Sequence, residues 1–536
     1  MPFAWPSATG ARDRLTNIDC LDAHAVAAVE SIVFNTAPPC ASAQMRLHFS
    51  AVNTLLVLVA FGWLLLFARH GLTAPFSGDD LMNLHGHLSR APVWLLADNL
   101  RYWSTSYRPL GGLCYVALYQ CFGFDPLPFR VLCFGLLALN LGLLWRFILR
   151  LSASREVAFL ALLIAAYHAW FVDLYYSTGT IYDLLCYAFY LGAFNVYLAV
   201  RARGHALACR HLAIVAALYV CALNAKEMAV SLPVLLAAYE TIYHGWALRR
   251  NGRGIVVTGL LSVPYIAGKL MGAGSLLENP AYRLTISPGR YLDTFHLYLN
   301  PLFYQQHVFR DPNTVQLLLG MLAFALCTRS RPLAFAWFWV LVSLLPVAFI
   351  AHYSGFFLYL PMAGWSLYAA VLLVIARKLL AGLLLRLAGA SDVQAEHLQI
   401  ASVVALPVLL ALFLAPCHQR ESLKTLRIFE SVQPPSRRLA GEMIALKPGL
   451  PRGARVLFVG DPFAGDDYFL LFLTRLLYRD MRITVDRTPP NQSFSKGYDC
   501  YDAVFTFHDG RLVDATVRLS NSAPDRPMAA LLADAG

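Results

Sequence analysis

Two adjacent carboxylates, Asp79 and Asp80, stand in the segment Phe76-Ser77-Gly78-Asp79-Asp80-Leu81-Met82-Asn83-Leu84-His85-Gly86-His87. A carboxylate beside a bilayer can accept a proton from a hydroxyl acceptor during group transfer. Ser77 and Asp80 also have capping-box spacing, so a helix start whose acids complement the dipole is the plain alternative. About 28 residues after Asp79, Tyr107-Arg108-Pro109-Leu110 offers a guanidinium that can grip a phosphate with two bonds or simply snorkel to the headgroups. Lys226 and Glu227 lie between two apolar half-blocks, where charge is costly unless partnered or wet. They either close a turn or place Lys226 in a site, and we read Lys226 as facing a site. Tyr359, in Phe356-Phe-Leu-Tyr-Leu-Pro361, fits the same site or an interfacial aromatic belt. Arg283 and Arg290 can reach an anionic headgroup or remain solvated. His85 and His87, with Asp79 or Asp80, have metal-ligating side chains, although alternate residues on a helix point in different directions. A divalent metal is therefore left open and no other cofactor is assigned.

The elements that must position these residues are membrane helices. Of 536 residues 58% are apolar and only 14% charged, where an average soluble domain carries about a quarter. That balance excludes a single soluble enzyme. The excess of 43 Lys+Arg over 32 Asp+Glu, a net +11, reads as the basic loops of a membrane protein and not as a nucleic-acid surface. The 11 cysteines are scattered, without zinc spacing or a disulfide framework.

Apolar blocks near 49–68, 128–149, 157–173, 180–200, 211–225, 229–245, 255–271, 313–328, 332–351, 356–376 and 399–416 predict about eleven spans. Block 107–123 is too short to cross, so it is expected to lie along the interface as a juxtamembrane helix begun by Pro109. With it outside the count, the Arg/Lys-bearing loops at 146–155, 201–210, 249–253, 329–331 and 377–386 all fall on one side, which becomes the cytoplasmic side. Loop 69–127, the Lys226-Glu227 junction and the segment near 272–312 then share the opposite compartment. Residues 1–45 are expected to be a polar, poorly ordered leader and not a signal peptide, with Met45 an alternative start. Residues 46–416 form the membrane domain. After Cys417 the composition becomes that of a soluble protein, and strands at 455–460, 481–485 and 503–507 around a helix at 467–479 predict a small α/β domain over 417–536. No internal repeat is found.

An acidic pair in the first external loop, then Tyr107-Arg108-Pro109-Leu110, then Lys226-Glu227 with Pro233, then Leu358-Tyr359-Leu360-Pro361 resembles the GT-C superfamily of polyprenyl-phosphate-sugar glycosyltransferases. The pattern is most similar to the transmembrane O-mannosyltransferases with tetratricopeptide repeats and their bacterial relatives, although the repeats are absent here. The resemblance spans roughly residues 50–375. It implies inverting transfer of a sugar, mannose in the nearest relatives, from a polyprenyl-phosphate carrier to a protein or glycan acceptor. It implies Asp79 as base, with Asp80 positioning acceptor or sugar. Arg108, Lys226, Tyr107, Glu227, Arg283, Arg290 and Tyr359 would serve the donor side. The corresponding localisation is a bacterial inner membrane, with the site and C-terminal domain facing the periplasm. A lipid-linked saccharide flippase and a glycan ligase or polymerase are the alternatives.

Overall fold

Helices occupy ten of the eleven expected apolar blocks in the computed structural model. It describes residues 68–245, 252–271, 280–304, 308–389, 391–431, 436–463, 468–489, 500–508 and 510–516, with isolated positions at 58, 62, 64–66 and 278. The expected leader and most of the first span lie outside these residues. Six helices are long and apolar enough to cross a membrane: Pro126–Ser152, Thr178–Arg201, Arg253–Met271, Arg331–Ala348, Met362–Ala388 and Val393–Ile428. Arg155–Tyr167 and Ala169–Tyr175, bent by 68° at their junction, make a seventh if counted as one broken span. The expectation of about eleven is thus corrected to six or seven among the described residues. Cys209–Ala225 and Pro312–Cys327 are shorter apolar helices, and Leu232–His244 has only 13 residues. At 1.5 Å per residue such a helix covers about 20 Å of a roughly 30 Å core, so an apolar block alone was too generous a criterion.

Local sequence explains where the helices begin. Asp125 caps the helix Pro126–Ser152 by accepting from the Leu127 amide at 3.0 Å, and Pro126 takes a first-turn position where its missing N–H costs nothing. Ser154 caps Arg155–Tyr167 in the same way. The helix Ile181–Arg201 lies at the centre, packed against Pro126–Ser152 and Cys209–Ala225, with Tyr182, Tyr190 and Tyr197 buried.

Loop 69–127 folds into three short helices, Gly78–Leu88, Pro92–Leu100 and Pro109–Phe122. The third, 14 residues long, is the helix expected over 107–123. The Ser77/Asp80 capping box also forms: Ser77 Oγ accepts from the Asp80 amide at 3.2 Å and Asp80 Oδ2 from the Ser77 amide at 3.0 Å.

The composition change at Cys417 does not coincide with a break in structure. The helix Asp392–Ser431 continues through it despite Pro407 and Pro416, each of which removes one backbone hydrogen bond from the helix interior. Beyond it come the helix Ser436–Leu446 and a four-stranded sheet in the order β2-β1-β3-β4, with β1 Arg455–Val459, β2 Thr484–Thr488, β3 Ala503–His508 and β4 Arg511–Asp514. β1 pairs in parallel with both β2 and β3, and β4 returns antiparallel on the far edge. The sequence pattern marked three of these strands and missed β4, whose four residues are too few to show alternation. The helix Phe469–Leu477 joins this sheet to the helix Gly78–Leu88.

Candidate active site at the helix ends

The two acids of the first loop have opposite surroundings. Asp80 is fully buried and its carboxylate is saturated. Oδ1 accepts from the Gly179 amide at 2.9 Å and Ser177 Oγ at 3.3 Å, while Oδ2 pairs with Arg130 Nη2 at 3.1 Å in addition to its capping bond. Such an acid holds position and has no free lone pair to take a proton. Asp79 is exposed, and among the described residues no hydrogen bond or ion pair engages its carboxylate. Partial desolvation by the protein beside it, aided by the charge of Asp80, raises its pKa above the ordinary aspartate value. A reachable carboxylate with a raised pKa is the better base of the two.

Arg108 stands at the N-cap of Pro109–Phe122 in the left-handed region, φ 44° and ψ 59°. A non-glycine residue carries a strain of about 1 to 3 kcal/mol there, which surrounding contacts must offset. They do: Nε and Nη2 donate to the two Glu227 oxygens at 3.2 and 3.1 Å, and the guanidinium lies 4.5 Å from the Tyr107 ring centre and 5.2 Å from that of Tyr182. Burial acts to raise the Glu227 pKa, but the charge and bonds of Arg108 outweigh it and bring it down to about 2. The next residue toward the N-terminus, Lys226, forms a buried ion pair with Asp183 and lies 4.7 Å from the centre of the Phe357 ring. Two cations and two anions therefore alternate across the ends of Ile181–Arg201 and Cys209–Ala225, with an aromatic ring over each cation.

Tyr182 joins this charge cluster to the acidic helix. Its hydroxyl donates to Asn83 Oδ1 at 3.1 Å and lies 2.8 Å from His87 Nε2, while Asn83 Nδ2 donates to the Asp79 carbonyl at 2.8 Å. Gly111 is required here, since a Cβ would meet the Tyr182 ring at 2.3 Å. Tyr182 thus lies against Tyr107 and Arg108 and is linked through Asn83 to the Asp79 backbone, while Glu227 reaches it through Arg108 and Lys226 pairs with its chain neighbour Asp183.

Other residues singled out from sequence fall elsewhere. Tyr359 is buried, accepts from Asn140 Nδ2 at 3.2 Å and packs on the Tyr187 ring, which is the role of a core residue. Arg290 donates through Nη2 to the Ile350 carbonyl at 2.6 Å and so ties down the end of Arg331–Ala348. Arg283 is exposed, although its neighbour Tyr282 comes close enough to interact with Arg108 and Glu227. The reading of His85 and His87 as joint metal ligands is corrected. His85 stacks on Phe472 at 4.5 Å and meets Arg475 Nη1 at 3.2 Å, whereas His87 turns to Tyr182. Two residues apart on a helix, the rings diverge. No group of three or more His, Cys, Asp or Glu suited to a metal occurs among the described residues.

Asp183, Arg130, Tyr182 and Lys269 were not anticipated. Asp183 and Arg130 carried a signal, since a lone charge inside an apolar block needs a partner of opposite sign. Lys269, buried near the end of Arg253–Met271, donates to the Ser106 carbonyl at 2.5 Å.

No family profile and no curated protein sequence matches the chain. Among solved structures, the crystal structure of ArnT from Cupriavidus metallidurans bound to undecaprenyl phosphate is similar over 84% of this chain and 92% of its own, at 17% sequence identity and a TM-score of 0.46.

Proposed function

We propose that this membrane protein is a GT-C-type glycosyltransferase that moves a sugar, mannose being the first to test, from a polyprenyl-phosphate carrier to a protein or glycan acceptor with inversion. The observation that carries this reading is the division of labour among charges around Tyr182. The helix that carries Asp79, an exposed carboxylate with raised pKa, is tied to Tyr182 through Asn83, and the same tyrosine lies against Arg108 of the fixed, aromatic-covered cation cluster.

In this reading Asp79 accepts the proton of the acceptor hydroxyl as its oxygen attacks the anomeric carbon, and the bond to the carrier phosphate breaks on the opposite face. The leaving phosphate then needs charge stabilisation more than a strong acid. Glu227 occupies the Nε and Nη2 edge of Arg108, which leaves the Nη1 side for a phosphate oxygen. Lys226 uses one of its three donors on Asp183. Both cations are held before the donor arrives, so little reorganisation is needed. Asp80 anchors the helix that carries Asp79. A base alone supplies about 10² to 10⁴-fold, and positioning supplies the remainder. The active face is proposed to be extracytoplasmic, with the C-terminal domain on the same side.

The test is to incubate membranes containing the full chain with labelled polyprenyl-phosphate sugars and follow label into protein, lipid and glycan. Asp79→Asn is expected to lose at least about a hundredfold in rate. Full activity in that variant would remove Asp79 from the chemistry, and no transfer from any such donor would remove the transferase reading.

A further inference from the structure

The short helix Pro92–Leu100 has two unlike faces. Leu95 and Asp98 are buried, while Val93, Trp94, Leu96 and Leu100 point outward, Trp94 and Leu100 with 60% and 74% of their surface exposed. A soluble protein would rarely leave such a face uncovered. The span Arg253–Met271, which touches the loop that follows this helix, has an apolar outer side of its own, on which Val256, Leu260 and Val263 are each more than half exposed. The contact between span and loop is close: a Cβ on Gly268 would come within 1.6 Å of the Trp103 carbonyl oxygen, so glycine permits the span to lie directly on this loop.

The polar edge of the helix is basic. Arg90 and Arg101 flank it and both turn to one acid: Arg90 Nη1 lies 3.8 Å from Asp98 Oδ2, and Arg101 Nη2 lies 3.3 Å from Asp98 Oδ1. Both arginine side chains remain more than half exposed, at 59% and 54%. Arg90 also donates to Ser106 Oγ, and Lys269 reaches the carbonyl of the same Ser106 from behind. Asp98 thus faces two arginines at once and orients both forks without neutralising both charges.

From this arrangement we infer that Arg90 and Arg101 form a docking site for the phosphate head of a membrane lipid, with the Val93, Trp94, Leu96 and Leu100 face sunk into the leaflet beside it. An amphipathic helix with arginine at its polar edge and tryptophan and leucine on the other face is held in this way by acyl chains and anionic headgroups together. The site is separate from the Arg108 cluster, where Glu227 and Asp183 balance the cations, and it needs no transfer chemistry. Failure of the glycosyltransferase reading would leave it standing.

The full chain in phosphatidylcholine nanodiscs doped with brominated phosphatidate tests it through tryptophan quenching. Phosphatidate should quench more strongly than brominated phosphatidylcholine at equal mole fraction, and Trp94→Phe should remove most of the difference. Arg90→Gln with Arg101→Gln should shift half-quenching to higher phosphatidate by about fivefold per charge, roughly 30-fold together. Arg90→Lys with Arg101→Lys should stay close to wild type, and Arg108→Gln should leave the quenching unchanged. Equal quenching by the two lipids, or an unchanged glutamine pair, would overturn the proposal. So would loss in the lysine pair, which would mean a purely structural role, or full displacement by inorganic phosphate, which would mean a site for free anion.

Discussion

Replacing Asp80 by asparagine separates anchoring from chemistry. The Asp80 and Arg130 side chains are both fully buried, and among the described residues Arg130 Nη2 otherwise bonds only the Pro75 carbonyl, at 2.8 Å. Arg130 Nε and Nη1 have no hydrogen-bond partner among the described residues. The Asp80→Asn change would keep the size of the side chain but leave that guanidinium as an uncompensated buried charge, a loss of about 3 to 5 kcal/mol. The neighbouring Asp79→Asn change touches an exposed carboxylate and should stay within about 0.5 kcal/mol of wild type. Thermal unfolding of purified protein in detergent, read by tryptophan fluorescence, compares them directly. At the shallow end of the usual scaling the Asp80→Asn midpoint should fall by at least roughly 5 °C. Adding Arg130→Met should recover part of the loss, because the stranded charge goes with it. Transfer activity per folded molecule should show the reverse order, with Asp79→Asn the more damaged. An Asp80→Asn protein as stable as wild type, or an Asp79→Asn protein that shares its instability, would refute the assignment of anchor and base.

Three further outcomes follow from the same geometry. Arg108→Lys keeps the charge but loses the two-bond grip on Glu227; one charge-assisted bond is worth about 1.5 to 3 kcal/mol, so label transfer should fall about ten- to hundredfold. The depressed Glu227 pKa contributes stability that is whole above the ordinary value of 4.5 and is lost as pH falls through about 2, so Glu227→Gln should flatten the unfolding midpoint across that range. Burial, aided by Arg90, lowers the His87 pKa from 6.5 to about 4; stability should be full above 6.5 and decline as pH falls toward 4, and His87→Gln should remove that decline in the same unfolding assay.

What could be read from the sequence was local or periodic. The Ser77/Asp80 capping box needs only three residues of separation, and its geometry is as expected. The interfacial helix after Arg108 was legible from Pro109 and a short apolar run. Tertiary pairing was less legible. Arg108 and Glu227 were each marked, yet nothing in either segment says that they meet across 119 residues. Asp183 and Arg130 hid in apolar blocks because those blocks were read for length and not for the single charge inside them. Tyr359 was marked for its position at a span start, but burial against Tyr187 and Asn140 makes it a packing residue. Span count failed for a physical reason as well: a helix such as Leu232–His244, with one face buried against its neighbours, can be apolar without being long enough to cross.

The contact between His85 and Arg475 also bears on the order in which the chain is assembled. The partners are 390 residues apart, which at about 5 to 20 residues per second means that roughly 20 to 80 s of synthesis separate them. Throughout that time the helix bearing Asp79 has no Phe472 to stack on His85 and no Ser436 hydroxyl on the Phe76 carbonyl. The acidic helix is therefore made well before the segments that complete it, and its final contacts wait until residues 436–475 have been synthesised.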